Sequence, residues 1–315
     1  MKPLKSLFIL LALSVATLSV KAQTSIKRLS GINDSIKNTM LTTVFDGADV
    51  IHISLKKGLF EYQPIIKIGI DGNLYRFMFD TGCSQTTFNS RYVPWTAGDS
   101  IYTIYRVESH GAIYDITGIA KIDNLKLGEL DIDSLLVALM DMGEVGASYG
   151  NHCVLGMAQF VNYDILFDWK GKAITLVRPL LTDSIISSQY KVISNIPVTV
   201  DNYTHTIYVD TQVRSRFKTH QYKLALDTGA EPCVIPEEAK PFLYRPSFNV
   251  IGGKHPKVGR TTIKIGDKKY RYVRTVLATP SFYQNMVGVL GLKVIGKHPF
   301  LLSTQNNRLL ILKEK

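Results

Sequence analysis

Cysteine, tryptophan and long apolar runs are all scarce in this 315-residue chain, which holds three Cys and two Trp. Three cysteines, Cys83, Cys153 and Cys233, cannot staple a chain of this length into a disulfide framework. No His-Glu-x-x-His run and no Cys-x-x-Cys pair occurs, so a metal site has no support and no cofactor is expected. Gly288-Val289-Leu290-Gly291, with Gly296 beyond it, lacks the spacing and the Lys-Ser/Thr ending of a phosphate loop. Helical periodicity is scarce. After the first 22 residues no apolar run is long enough to cross a membrane as a helix. The charge is basic, +11 overall, and falls to +8 once Lys2, Lys5 and Lys21 are set aside with those residues. The remaining cations are scattered and no nucleic-acid motif accompanies them, so a solvated surface is expected and no nucleic-acid partner. Their densest run, Lys264 to Arg274, reads as a hairpin at a charged sheet edge.

What is present begins with a tripeptide found twice. Asp80-Thr81-Gly82 follows Phe77-Met78-Phe79, and Asp227-Thr228-Gly229 follows Leu224-Ala225-Leu226. Each reads as a buried strand ending in a tight turn that presents a carboxylate. An apolar residue recurs eight positions after each Asp, Phe88 and Ile235, which makes two unrelated strand-ending turns the weaker explanation. Two such turns can bring two carboxylates together. A close pair cannot ionise freely on both members, so it shares one proton and supplies an acid and a base at once.

The tripeptides belong to a longer repeat. Leu125-Lys126-Leu127-Gly128 matches Ile263-Lys264-Ile265-Gly266, and Val154-Leu155-Gly156-Met157 matches Val289-Leu290-Gly291-Leu292. Without a gap, the second match carries Ile165-Leu166-Phe167 onto Phe300-Leu301-Leu302 and Ile174 to Val177 onto Leu309 to Leu312. The spacing between copies falls from 147 (Asp80 to Asp227) to 138 (Gly128 to Gly266) to 135 (Gly156 to Gly291), as expected if the second copy has shorter loops. Short β-branched and aromatic runs alternate with turn signals, as in Pro64 to Ile70, Asp71-Gly72, then Leu74 to Phe79. The expectation is an all-β fold of two similar β-barrel-like lobes about a pseudo-twofold axis, with the active site in the cleft between them.

These residues resemble the pepsin/retropepsin-like aspartic proteases, and among them the bacterial retropepsin-like members. The likeness spans about residues 60 to 315 and rests on the two Asp-Thr-Gly loops, on Val154-Leu155-Gly156 and Val289-Leu290-Gly291 as their partner segments, and on Asp164-Ile165-Leu166-Phe167-Asp168. It implies an aspartic endopeptidase, a hydrolase of peptide or protein substrates, whose Asp80 and Asp227 activate a water with no covalent intermediate. It further implies that Thr81 and Thr228 interlock by hydrogen bonds beneath the pair, against the plainer reading of two strand-favouring threonines. Gly82 and Gly229 would let the backbone approach the carboxylates. A hairpin covering the substrate is implied near Ser109 to Asp115, with Gly111 as its flexible point and Tyr114 either a lid residue or an ordinary strand aromatic. Gly111 stands where the family's lid tyrosine would be, and His110 reads as an exposed loop residue.

One departure matters. Many pepsins carry Ser or Thr after each Gly, whereas this chain has Cys83, a weak donor, and Ala230, which has no side-chain donor. Fewer donors favour the protonated carboxyls, so the expected optimum is mildly acidic to near neutral. Cys83 and Cys153 fall in the same copy, where either a bridge or two buried free thiols would fit, the thiols being the plainer reading.

The organisation expected is a signal peptide over 1–22, an N-terminal arm over 23–50, a first lobe over 51–180, a connection over 181–194 and a second lobe over 195–315. Lys2 and Lys5, the apolar run Leu7 to Leu13 and Val20-Lys21-Ala22 carry the first of these. The mature protein is then expected to be exported to a bacterial periplasm or beyond, without a stable membrane anchor, as a monomer with an intramolecular pseudo-twofold. The competing function is a peptide- or inhibitor-binding protein on the same fold that does not hydrolyse.

Overall fold

The structure, a computed structural model, describes residues 44–56, 58, 62–93, 106–109, 112–141, 153–202, 205–215, 218–239, 241, 243–246, 257–278 and 287–315. Its strands follow from alternation. In Leu130–Met140, Leu130 and Ile132 are buried while Asp131 and Asp133 between and beyond them face water. The first half holds β1 (Val50–Ser54), β2 (Ile65–Ile70), β3 (Asn73–Phe79), β4 (Thr87–Asn89), β5 (Arg106–Ser109), β6 (Ala112–Leu127), β7 (Leu130–Met140), β8 (Cys153–Leu155), β9 (Asp164–Asp168) and β10 (Ala173–Val177). The second half repeats the series as β11 (Tyr190–Val200), β12 (Ile207–Arg214), β13 (Thr219–Leu226), β14 (Cys233–Pro236), β15 (Leu243–Pro246), β16 (Lys257–Ile265), β17 (Lys268–Ala278), β18 (Val289–Leu290), β19 (Phe300–Ser303) and β20 (Arg308–Glu314).

Strands β2-β3-β8-β4-β7-β6 close into one barrel through the β2–β6 pairing, and β12-β13-β18-β14-β17-β16 close into a second through β12–β16. The fold is therefore all-β with two barrels of like strand order. In each barrel the strand leading to an Asp-Thr-Gly pairs in parallel with a short partner: Phe79 lies opposite Leu155, and Leu226 opposite Leu290.

A third layer joins the halves. Strands β1-β10-β9-β19-β20-β11 form six antiparallel neighbours, three from each half, with Phe167 opposite Phe300 at the seam. Those two rings stack with centroids 4.6 Å apart, and Phe79 meets Phe167 edge-on at 5.6 Å. A column of aromatic rings thus runs from the residue before Asp80 to the joint between halves. Each ring buried there is worth roughly 1.5–3 kcal/mol. The other face of this sheet packs Leu166, Leu301, Leu310 and Leu312 against Ile186 of helix α1 (Pro179–Gln189).

The expected connection over 181–194 holds most of α1 and the first five residues of β11, so it is a packed element and a sheet strand. Pro179 opens the helix at its first turn, where a missing N–H leaves no bond broken. The charged hairpin at Lys264 to Arg274 forms as β16 and β17, with Arg271 and Arg274 exposed, and its β17 side is a sheet edge: Lys268 to Arg274 have β16 as their only paired strand among the described residues, because β17 meets β14 only from Thr275 onward. Barrel closure gives β16 the further partners β12 and β15, and β17 the partner β14. Of the predicted arm, residues 23–43 lie outside the described residues. Phe45 donates its N–H to the Gln159 carbonyl (2.8 Å) and sets its ring edge-on to Phe160.

Candidate active site

Strands β3 and β13 stop at Phe79 and Leu226, and the next residue in each is an aspartate whose N–H is taken by the partner strand. Asp80 donates to the Leu155 carbonyl (3.0 Å) and Asp227 to the Leu290 carbonyl (3.1 Å). The chain then turns back on the carboxyl itself, as Asp favours in tight turns. Gly82 N–H donates to Asp80 Oδ1 (2.8 Å); Gly229 and Ala230 N–H both donate to Asp227 Oδ1 (2.7 and 2.9 Å).

The threonines lock one turn to the other. Thr81 N–H donates to Thr228 Oγ1 (3.1 Å) and Thr228 N–H to Thr81 Oγ1 (3.0 Å). Their hydroxyls donate onward, Thr81 to the Leu226 carbonyl (3.0 Å) and Thr228 to the Phe79 carbonyl (2.7 Å). All four bonds are buried and cross between halves. The glycines set the approach: a Cβ on Gly82 would lie 2.6 Å from Asp227 Cγ, and one on Gly229 would lie 2.6 Å from Asp80 Oδ2. Any side chain at either position would displace the opposite carboxyl.

Asp80 and Asp227 are both buried. Their Oδ2 atoms take no hydrogen bond from an N–H or O–H among the described residues, while the two carboxyls lie within hydrogen-bonding reach of each other. Two carboxylates offer only acceptors, so that contact needs a proton. Burial raises Asp80 to about 6, offset in part by the N–H groups around it, Gly82 first. Burial also drives Asp227 well above the carboxylate range, and the adjacent Asp80 charge adds to the rise. The two carboxyls therefore titrate as one unit that holds a single shared proton once the first ionisation, raised by burial, is complete.

The residue after each Gly adds no side-chain donor. The Cys83 thiol turns to the Gln85 carbonyl (3.1 Å), and burial followed by the two nearby carboxyls pushes it well above the ordinary thiol range. Cys83, Cys153 and Cys233 are free and buried, so the bridge held open between Cys83 and Cys153 does not form.

Of the two residues named for a substrate lid, Gly111 lies outside the described residues. Tyr114 sits in β6 opposite Val107 of β5. The β5–β6 hairpin projects: β6 pairs with β7 only from Ile116 onward, so Ala112 to Asp115 have β5 as their only paired strand among the described residues. Two surface grooves, of about 580 and 440 Å³, lie elsewhere, one between α1, β11 and β20 and the other at the β2–β3 and β6–β7 turns. Among the described residues no cluster of three or more His, Cys, Asp or Glu is arranged to hold a metal.

Three contributors escaped the sequence reading. Thr86 Oγ1 takes the N–H of Gly156 (3.2 Å) and donates to Gln159 Oε1 (2.9 Å), while Cys233 Sγ takes the N–H of Gly291 (3.3 Å). The available signal was register: Thr86 and Cys233 each stand six residues past an aspartate. No protein-family model matches the chain, and a search of the curated proteins finds no match either.

Proposed function

We propose that the chain is an aspartic endopeptidase that hydrolyses peptide bonds with a water held by Asp80 and Asp227. The observation that carries the reading is the pair itself: two buried carboxyls from opposite halves in contact, with their turns interlocked by Thr81 and Thr228. In this reading the ionised member of the pair takes a proton from the water as it attacks the scissile carbonyl. The protonated member donates to the developing oxyanion, and a proton then passes to the leaving nitrogen. No bond to the enzyme forms. The cleft between the barrels is the substrate site, the projecting β5–β6 hairpin is its cover, and residues 1–22 are a signal peptide removed on export to a periplasm or beyond.

A second reading, a peptide-binding protein without hydrolysis, is favoured by the depth of the pair, whose Oδ2 atoms are fully buried. One experiment separates the two: a diverse peptide library is offered to the wild type and to the Asp80→Asn and Asp227→Asn variants between about pH 3 and 8. Cleavage by the wild type alone supports the protease. Peptide retention without cleavage by all three supports the binding protein.

A further inference from the structure

Six residues beyond each aspartate, the two halves place different side chains in one role. Thr86 offers a hydroxyl oxygen to the Gly156 N–H, and Cys233 offers a thiol sulfur to the Gly291 N–H. Both glycines are wedged under an aspartate turn. A Cβ on Gly156 would lie 2.7 Å from the Ser84 carbonyl oxygen, and one on Gly291 would lie 2.6 Å from the Ala230 carbonyl oxygen. The residues on either side are tied to the same turns. Leu155 and Leu290 carbonyls hold the N–H of Asp80 and Asp227, while Met157 and Leu292 donate to the Cys83 and Ala230 carbonyls (both 2.8 Å). A buried N–H left without an acceptor at this point would loosen the one strand that fixes each aspartate's main chain.

We propose that Thr86 and Cys233 are equivalent positioning residues for the carboxyl pair, each holding a glycine N–H so that the adjoining strand holds its aspartate. The inference rests on the reading of the pair as a catalytic centre; neither side chain touches substrate. Sulfur accepts more weakly than a hydroxyl, so the hold is softer in the second half, around Asp227. A loosened turn lets Gly229 and Ala230 drift from Asp227 Oδ1, and a carboxylate that loses N–H donors titrates higher.

The test is a pair of variants read two ways, by peptide cleavage and by 13C NMR titration of the aspartate carboxyls. Cys233→Ala is expected to lower kcat roughly tenfold or more with KM unchanged, and to move the carboxyl titration to higher pH. Cys233→Thr, which installs the stronger acceptor of the first half, is expected to keep kcat at or above the wild-type value and the titration at or below its wild-type position. If Cys233→Ala keeps wild-type kcat and titration, or if Cys233→Thr fails in the same way as Cys233→Ala, the inference is overturned. Should Cys233→Ala not fold, the Cys233→Thr result decides alone. The NMR readout needs no substrate: a wild type that cleaves nothing, while Cys233→Ala still shifts the titration, sinks the protease reading and leaves the positioning role standing.

Discussion

At the scale of residues, the turns show how a buried charge pair is held and what that holding costs in stability. Both carboxyls titrate above their unfolded values, so the folded state binds more protons than the unfolded chain, and stability falls as pH rises from about 4 through the folded value of Asp80, about 6. Replacing Asp80 or Asp227 by Asn removes the titration. Each variant is expected to lose cleavage by about a thousandfold or more; Asp80→Asn should also gain of the order of 1–3 kcal/mol at pH 7, a gain that shrinks toward pH 4 in urea melts, and Asp227→Asn should gain in the same direction. The threonines oppose this. Thr81→Val or Thr228→Val strips an acceptor from a buried N–H and a donor from a buried carbonyl, and should destabilise by roughly 2–4 kcal/mol in the same melts. Asp, Thr and Gly were legible because the same triplet recurs after an apolar run. Thr86 and Cys233 were not, because their shared role lies in position while their chemistry differs.

At the scale of elements, the strands were readable wherever one face meets a barrel interior, since alternation then has period two, and the Asp71-Gly72 turn between β2 and β3 was visible as a breaker. Helix α1 was not. Only Thr182 and Ile186 of it are buried and Leu180 is almost fully exposed, so the apolar stripe that announces a helix is absent. The short strand β8 is the least forgiving element, because its following residue Gly156 runs directly under the turn at Ser84 and Gln85. Gly156→Ala should cost more than about 4 kcal/mol or prevent folding, checked by circular dichroism of the expressed protein. The β5–β6 hairpin should behave in the opposite way. Replacing Glu108 to Ile113 with an Asn-Gly turn removes only the projecting part, so the melting temperature should hold while kcat/KM for peptides falls about tenfold or more.

At the scale of the whole molecule, the two barrels followed from the repeat, but the six-stranded sheet that joins them did not. Its seam pairs Phe167 with Phe300, residues far apart in sequence, and although the repeat marks the two strands as copies of one another, a copy relation does not say that the copies hydrogen-bond side by side. That sheet and the threonine interlock are what place Asp80 against Asp227, and the proposed function divides the work between one ionised and one protonated carboxyl of the pair. The pH–rate profile of peptide cleavage tests that division most directly. In the proposed mechanism one carboxyl is ionised and the other protonated, so the rate should fall as pH drops through the pair's first ionisation, about 6, and a second limb should appear at higher pH as the shared proton is lost. A bell with its acid limb near pH 6, absent in the Asp80→Asn variant, is the expected result, whereas an optimum below about pH 3, or an Asp80→Asn variant as active as the wild type, would contradict it.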